Sequence, residues 1–123
     1  MTQSTQEQNK ALLLRAFDLL FNKRDYAAAE KLWSPHYIQH SAHIKSLPAT
    51  LRYEAGLVVA EGDFVIAHGR FSGFGPMVNW IAADILRIQD GTLVEHWDVI
   101  QDEATERESK SKAPMFGDTF PTY

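Results

Sequence analysis

The chain contains no cysteine among its 123 residues. Disulfide bonds, thiolate nucleophiles and cysteine-ligated metal sites are therefore excluded. An excess of positive charge is also absent, since the formal net charge is -4 at pH 7. A protein of this charge has no electrostatic basis for binding nucleic acid or an anionic membrane, and we expect neither partner.

Long apolar runs are missing too. No stretch approaches the ~20 apolar residues that cross a bilayer, and the polar residues 1–8 lack the apolar region of a signal peptide. We therefore expect a soluble, cytoplasmic protein. The glycine-rich phosphate loop, dinucleotide fingerprint, zinc-protease motif and nucleophile elbow are absent as well, so we predict chemistry without a cofactor or a metal.

The hydrophobic fraction of 45% is enough for a packed core, and the length allows one domain, residues 1–123. Residues 4–7 have the spacing of a capping box and predict the start of a helix. Asp25 is the predicted N-cap of a second, short helix that runs through Trp33 and stops at Ser34-Pro35. The apolar stripe of the first helix comprises Leu13, Ala16, Phe17, Leu20 and Phe21.

Strand patterns dominate from residue 51 onward, whereas residues 36–48 predict a loop. Helices followed by an antiparallel meander indicate an α+β fold, in which the helices cover one face of a curved four-stranded sheet. The tail, 102–123, begins with charged residues that we expect to be exposed. It ends with apolar ones, near Phe116 and Phe120, that could dock back or onto a partner chain. The four predicted strands are residues 51–60, 64–72, 78–88 and 93–100.

Two titratable residues share one face of the last predicted strand. The alternation in residues 93–101 places His96 and Asp98 beside Val94 and Ile100. Polar groups on such an apolar face are costly unless they are paired or line a pocket. This face of the last predicted strand is therefore the candidate functional surface. The opposite face comprises Leu93, Glu95, Trp97 and Val99.

The turn at residues 89–91 allows two registers for the last hairpin. A two-residue loop would put Asp84 and Asp98 on opposite faces of the sheet. A three-residue loop would pair Asp84 with His96 and put both aspartates on the face of His96. We predict the three-residue loop, because it gathers the three polar residues among apolar neighbours.

Three segments together resemble the SnoaL-like polyketide cyclase branch of the nuclear transport factor 2-like superfamily. They are residues 37–40 (YIQH), 83–88 (ADILRI) and 90–101 (DGTLVEHWDVIQ). The resemblance implies a cone-shaped fold with a deep apolar pocket for a small apolar ligand, and commonly a homodimer. It does not imply one reaction, since relatives include cyclases, isomerases, dehydratases, epoxide hydrolases and non-catalytic proteins. Relatives carry a further helix for which residues 41–50 are too few, so either that helix is lost or the sequence lacks residues there.

The resemblance also assigns roles to single residues. Asp98 matches the general base of the family's cyclases, and Asp84 matches an oxyanion-stabilising acid of the ketosteroid isomerase relatives. His96 would orient Asp98 or share its proton. Alternatively, His96 would have only a structural role, with its ring nitrogens hydrogen-bonded within the pocket. His40 matches a pocket-wall residue. The structural alternatives are an ion pair of Asp98 with Arg70 and a cross-strand pair of Asp84 with His96.

Five further residues are candidates for binding the substrate. Trp33, Tyr37 and Trp80 are candidate aromatic walls of the pocket, although core packing explains them equally well. His68 and Arg70 share a strand face and could hydrogen-bond a ligand oxygen, or they could be solvated.

Three histidines suggest a metal site, His36, His40 and His43. Helical spacing can place two imidazoles together. Pro35 argues against a helix there, and no carboxylate is close in sequence, so we predict no metal.

Two functional hypotheses follow. The first is a cofactor-independent enzyme for an apolar carbonyl compound, with Asp98 as base, His96 as its partner and Asp84 as donor to the developing enolate oxygen. Cyclisation, isomerisation and dehydration share this first step. The second is a non-catalytic module for ligand binding or dimerisation. The short segment 41–50 favours the second, because a missing wall admits water and weakens electrostatic stabilisation.

Overall fold

The helices begin where the capping residues predict. A computed structural model of the chain describes residues 4–42, 48–75 and 78–123. Helix α1 spans Thr5–Phe17 and helix α2 spans Tyr26–Glu30, with a π-helical turn over Asp18–Asn22 between them. The side chain of Ser4 accepts a hydrogen bond from the backbone N–H of Glu7 at 3.2 Å, which confirms the predicted start of α1. No helix of the described ranges is long and apolar enough to span a membrane.

Five strands form one curved sheet, which the helices cover on one face. Strand β1 is parallel to β5, and all other neighbouring pairs are antiparallel. The predicted α+β class is confirmed, but the sheet has five strands rather than four. In chain order the strands are β1 (Trp33–Gln39), β2 (Arg52–Glu61), β3 (Phe64–Ser72), β4 (Trp80–Gln89) and β5 (Thr92–Asp102), in the spatial order β1-β5-β4-β3-β2.

Strand β1 corrects two predictions. Helix α2 ends at Glu30 rather than Trp33, and part of the predicted loop 36–48 is an edge strand. Trp33 pairs with Leu93 and Ile38 with Glu95, so five steps along β1 match two steps along β5. Such an irregular edge strand tolerates a proline and shows no period of two, which is why the sequence pattern does not reveal it. Residues 43–47, within the short segment 41–50, lie outside the described residues.

The core lies between α1, the π-helical turn and the sheet face that they cover, which we call the inner face. Phe17 meets Tyr53 edge to face, with ring centroids 5.1 Å apart. Phe21 and Phe71 pack in the same way at 5.1 Å. These pairs hold the helical layer at a fixed distance above the sheet. The predicted stripe of α1 is accordingly buried, except for Leu20, which is partly buried.

The last hairpin follows neither predicted register. Asp90 and Gly91 have φ of 52° and 74°, and Gln89 pairs with Thr92, so the loop has two residues. A bulge then shifts the register by one residue between Ile88 and Arg87. Beyond the bulge, the pairing again places the two aspartates on one face. The observed pairs there include Leu86 with His96, Asp84 with Asp98 and Ala82 with Ile100.

The bulge also moves Leu93, which we predicted on the face of Trp97 and Val99. Leu93 pairs with Ile88 on the inner face and is fully buried in the core. Val99 stays on the outer face and is 64% exposed. The inner face therefore carries one more apolar residue than the sequence pattern predicts.

The C-terminal tail folds back over the outer face of the sheet. The buried carboxylate of Glu103 accepts hydrogen bonds from Arg70 Nε at 2.9 Å and Nη2 at 2.6 Å. The guanidinium also lies 4.9 Å from the centre of the Phe116 ring. Of the two alternatives for the apolar end of the tail, docking onto its own chain is thus the one observed for Phe116.

Candidate functional site

Two facing strands carry a buried polar cluster on the inner face. Asp84 on β4 lies directly opposite Asp98 on β5, and His96 lies two residues before Asp98. Asp84 is 1% and His96 2% exposed, while Asp98 is half-buried. One nitrogen or oxygen atom from each of the three side chains lies within 4.8 Å of the other two. The structure therefore brings together the three residues that the sequence proposed as catalytic.

Both ring nitrogens of His96 are hydrogen-bonded. Nε2 lies 2.7 Å from Asp84 Oδ1, and Nδ1 lies 2.6 Å from Gln39 Oε1. Of the alternatives for His96, the cross-strand pair with Asp84 is thus present. The sequence does not single out Gln39, because the pattern of residues 36–48 predicts a loop. Its position two residues after Tyr37, on a strand, would have placed both on one face.

Asp98 is held by a residue just beyond β1. The hydroxyl of Ser41 donates to Asp98 Oδ2 at 2.6 Å. The sequence does not single out Ser41 either, because it lies in the same predicted loop. The alternative partner of Asp98, Arg70, pairs instead with Glu103 and Glu54. The end of β1 therefore supplies the polar contacts that complete the cluster.

Burial raises the pKa of the Asp84 carboxyl above its ordinary value of 3.8, and the negative charge of Asp98 adds to this rise. The hydrogen bond and charge of His96 lower it in part. Asp84 Oδ2 has no hydrogen-bond partner within the described parts of the chain. An unpaired oxygen costs less on a neutral acid than on a carboxylate. The site thus favours a protonated Asp84.

We expect this raised pKa to make stability depend on pH. A folded state that binds a proton more tightly than the unfolded chain gains stability below the unfolded pKa, near 3.8, and loses that gain as pH rises through the folded pKa. Asp84→Asn has a side chain that stays neutral at every pH, so its stability should not fall between the unfolded and the folded pKa of Asp84. Urea unfolding at a series of pH values should therefore show the variant gaining on the wild type as pH rises above about 4. Parallel curves would show that Asp84 is not a perturbed acid.

An apolar cavity of about 140 Å³ adjoins His96. Four of its lining residues carry polar side-chain atoms, namely His96, Gln39, Trp33 and Tyr37. Burial raises the pKa of Tyr37 to about 12, with the charges of Asp84 and Asp98 adding to the rise, so the hydroxyl keeps its proton at neutral pH. The cavity is lined by Phe17, Leu20, Phe21, Trp33, Tyr37, Gln39 and His96.

Two predicted wall residues, Trp33 and Tyr37, thus lie at the cavity, whereas three other candidates lie elsewhere. His40 lies beyond β1, stacked on Trp97 with ring centroids 4.9 Å apart, and its Nε2 is 2.6 Å from Glu95 Oε2. Trp80 packs on Phe74, and His68 on Phe116, with ring centroids at 4.5 and 5.8 Å. None of these three lines the cavity.

Arg70 also lies outside the cavity, beside His68 on the outer face, where Glu103 and Phe116 hold it. The sequence leaves two alternatives for these residues, hydrogen bonding to a ligand oxygen or a solvated face. Alternation along β3 sends their side chains away from the inner face, because the buried positions there are 65, 67, 69 and 71. They are therefore not carried into the candidate site.

The cluster has the donor types of a metal site, but its spacing suits a proton. His96 Nε2 and Asp84 Oδ1 are 2.7 Å apart, whereas two ligands of a tetrahedral ion lie about 3.3 Å apart. Of the three histidines that suggested a metal, His43 lies outside the described residues. His36 and His40 lie in and just beyond β1, and among the described residues neither belongs to a group of three potential metal ligands.

Solved structures share this fold, although no family model matches the chain and no curated protein matches its sequence significantly. A candidate ketosteroid isomerase from Kribbella flavida has a TM-score of 0.73 at 15% identity, over 98% of this chain and 100% of that one. A candidate SnoaL-like polyketide cyclase from a Jannaschia species has a TM-score of 0.63 at 22% identity, over 82% and 91%. AclR, a candidate hydroxylase from Streptomyces galilaeus, has a TM-score of 0.62 at 26% identity, over 78% and 80%. The fold implied by the sequence resemblance, that of SnoaL-like and nuclear transport factor 2-like proteins, is confirmed.

Proposed function

We propose that this chain is a cofactor-independent enzyme that moves a proton at the carbon beside the carbonyl group of a small apolar compound. One observation carries the proposal, namely a cluster of buried Asp84, buried His96 and half-buried Asp98 that meets an apolar cavity at His96. Matched structures described as a candidate ketosteroid isomerase and a candidate polyketide cyclase support the same class of substrate. Isomerisation, aldol-type cyclisation and dehydration all begin with this step.

Asp98 is the proposed base. It is less buried than Asp84, and the Ser41 hydroxyl donates a hydrogen bond to its carboxylate. Asp98 does not line the cavity itself, which meets the cluster at His96, so the reacting carbon of the substrate must extend past His96 to reach the base. Two carboxylates that face each other favour a single negative charge between them. His96 is proposed to assist the base indirectly, because its ring nitrogens bond to Asp84 and Gln39 rather than to Asp98, and its pairing with Asp84 neutralises the carboxyl group that faces the base.

The donor to the developing enolate oxygen is proposed to be Tyr37 rather than Asp84 alone. Asp84 is buried and does not line the cavity, whereas Tyr37 does. A hydroxyl whose pKa is about 12 retains its proton at neutral pH and can donate it as a hydrogen bond. Asp84 would then act through His96.

The cavity limits the size of the substrate. A volume of about 140 Å³ is close to the ~150 Å³ engineered cavity that binds benzene. We therefore propose a one-ring ketone, or a larger ketone that places one ring in the cavity.

A thermal-shift series with ketones of one to four rings tests the binding part of the proposal. A ketone at 100 times its Kd should stabilise the fold by about 2.7 kcal/mol, since it binds only the folded state. Leu20→Trp should abolish the thermal shift, because Leu20 lines the cavity and the larger side chain would fill it. Leu14→Trp is the control, since Leu14 on α1 is 40% exposed, and it should leave the shift intact. Shifts that persist in Leu20→Trp would place the ligand elsewhere.

We also propose a homodimer formed through the outer face of the sheet. Val59, Ile66 and Val99 are 47%, 40% and 64% exposed on that face, next to the part that the tail covers. Burying such apolar surface against a second copy would remove it from water. Light scattering at tens of micromolar should give twice the mass of 13.9 kDa. Val99→Lys should return it to the monomer, and a monomeric wild type would contradict the proposal.

A non-catalytic ligand-binding or dimerisation module is the alternative. Among the described residues no helix lies between β1 and β2, which favours a pocket with one short wall. Such a module would bind ketones in the thermal-shift series and leave their chemistry unchanged.

A further inference from the structure

Gln39 accepts two hydrogen bonds through one atom. Its Oε1 lies 2.9 Å from the backbone nitrogen of Ser41 and 2.6 Å from His96 Nδ1. A backbone N–H can only donate, so the atom that faces it is the amide oxygen, which can only accept. The ring atom that faces the same oxygen must then carry a hydrogen. His96 is therefore protonated at Nδ1 whatever its total charge.

The proton on Nδ1 restricts what lies between His96 and Asp84. Nε2 and Asp84 Oδ1 are 2.7 Å apart, so one hydrogen lies between them. Either a protonated Asp84 donates to a neutral imidazole, or an imidazolium donates to a carboxylate. In both cases the two groups together are neutral, and the single negative charge of the cluster belongs to Asp98.

The other neutral tautomer of His96 would change this charge. With its hydrogen on Nε2, the ring would donate to an ionised Asp84, which would then face the ionised Asp98 directly across the strands. The cluster would hold two negative charges on a largely buried face, and its stored proton would be lost. An acceptor at Nδ1 opposes that tautomer in addition to the charge repulsion, and Gln39 supplies it.

We propose that Gln39 is a positioning residue that fixes His96 in the Nδ1-protonated form, so that the Asp84–His96 pair stores one proton and Asp98 alone carries charge. The inference rests on the proposed function for its catalytic meaning, but the tautomer itself is a property of the free protein. The backbone just beyond β1 sets it, because the N–H of Ser41 orients the amide of Gln39.

Imidazole nitrogen NMR of the ligand-free protein tests the inference. In the wild type the signals of His96 should show a hydrogen on Nδ1 throughout the pH range in which the protein is folded. Gln39→Met removes the acceptor at similar size, and should move the neutral ring to the Nε2-protonated pattern. Ser41→Ala is the matched control, since it removes the hydroxyl from Asp98 but keeps the backbone N–H that orients Gln39, so Nδ1 should stay protonated.

Three results would overturn the inference. They are a wild-type His96 with a bare Nδ1, a Gln39→Met variant that keeps the Nδ1 hydrogen, or a Gln39→Met variant with full kcat on a ketone that the wild type turns over. If Gln39→Met does not fold, the wild-type spectrum still decides the tautomer. If no ketone is turned over, the proposed enzyme fails while the tautomer measurement stands, so the two failures are distinguishable. The supporting result with a substrate is a lower kcat at unchanged KM.

Discussion

Asp98→Asn is expected to lower kcat by about 10²- to 10⁴-fold on any ketone that the wild type converts, since this is the usual contribution of a positioned acid or base. The asparagine amide has nearly the same shape as the carboxylate and can still accept from the Ser41 hydroxyl. The fold and the Kd for the ketone should therefore change little. A loss in kcat at constant Kd identifies an interaction made only during the reaction.

The matched control is Asp102→Asn, which neutralises an exposed carboxylate at the end of the same strand. It changes the net charge by the same amount and should leave kcat unaltered. If both variants keep full activity, the cavity remains a binding site and Asp98 is not its base. If both lose activity equally, the loss reflects charge or strand stability rather than the proposed proton acceptor.

His96→Leu is expected to destabilise the fold by about 3–5 kcal/mol at neutral pH, because removal of one partner from a buried pair leaves the other uncompensated. Asp84 would lose its partner for Oδ1 while Oδ2 already lacks one among the described residues. The loss should shrink at low pH, because burial raises the pKa of Asp84 and protonation removes its charge. Urea unfolding at two pH values measures both effects.

Two further variants distinguish the loss of the Asp84–His96 pair from the loss of any histidine and from a loss of packing. His40→Leu changes a partly exposed histidine outside the cavity, and should cost no more than the ~1 kcal/mol of an exposed ion pair. The double variant Asp84→Leu/His96→Leu should recover much of the loss of His96→Leu, since an apolar pair leaves no charge to desolvate. A double variant as unstable as the sum of both single variants would show that packing, not charge, controls this site.

Local patterns predicted the elements that depend on local signals. The capping residues of α1 and the alternation of β2 to β5 act within a few residues, and these elements lie where the sequence placed them. Strand β1 depends on parallel pairing with a strand about 60 residues later and contains Pro35, so nothing local distinguishes it from a loop.

The placement of the cluster on one face was predicted correctly, but for the wrong reason. The predicted three-residue loop and the observed two-residue loop with a bulge differ by two residues in register. A shift of two residues leaves each side chain on the same face of the sheet, so Asp84 still shares a face with Asp98. A bulge has no sequence signal strong enough to predict here. The missed residues, Gln39 and Ser41, lie at the end of β1 and just beyond it, so they could not be assigned before that strand was.

Deuterium exchange in D₂O tests the central claim most directly, because proton abstraction beside a carbonyl labels the substrate whatever product follows. A one-ring ketone that raises the Tm should gain deuterium at the carbon beside its carbonyl group, faster with the wild type than in buffer. With Asp98→Asn the rate should fall to that of buffer while the thermal shift persists. If bound ketones exchange at the buffer rate with the wild type, the cluster is not a base and the chain is a binding module.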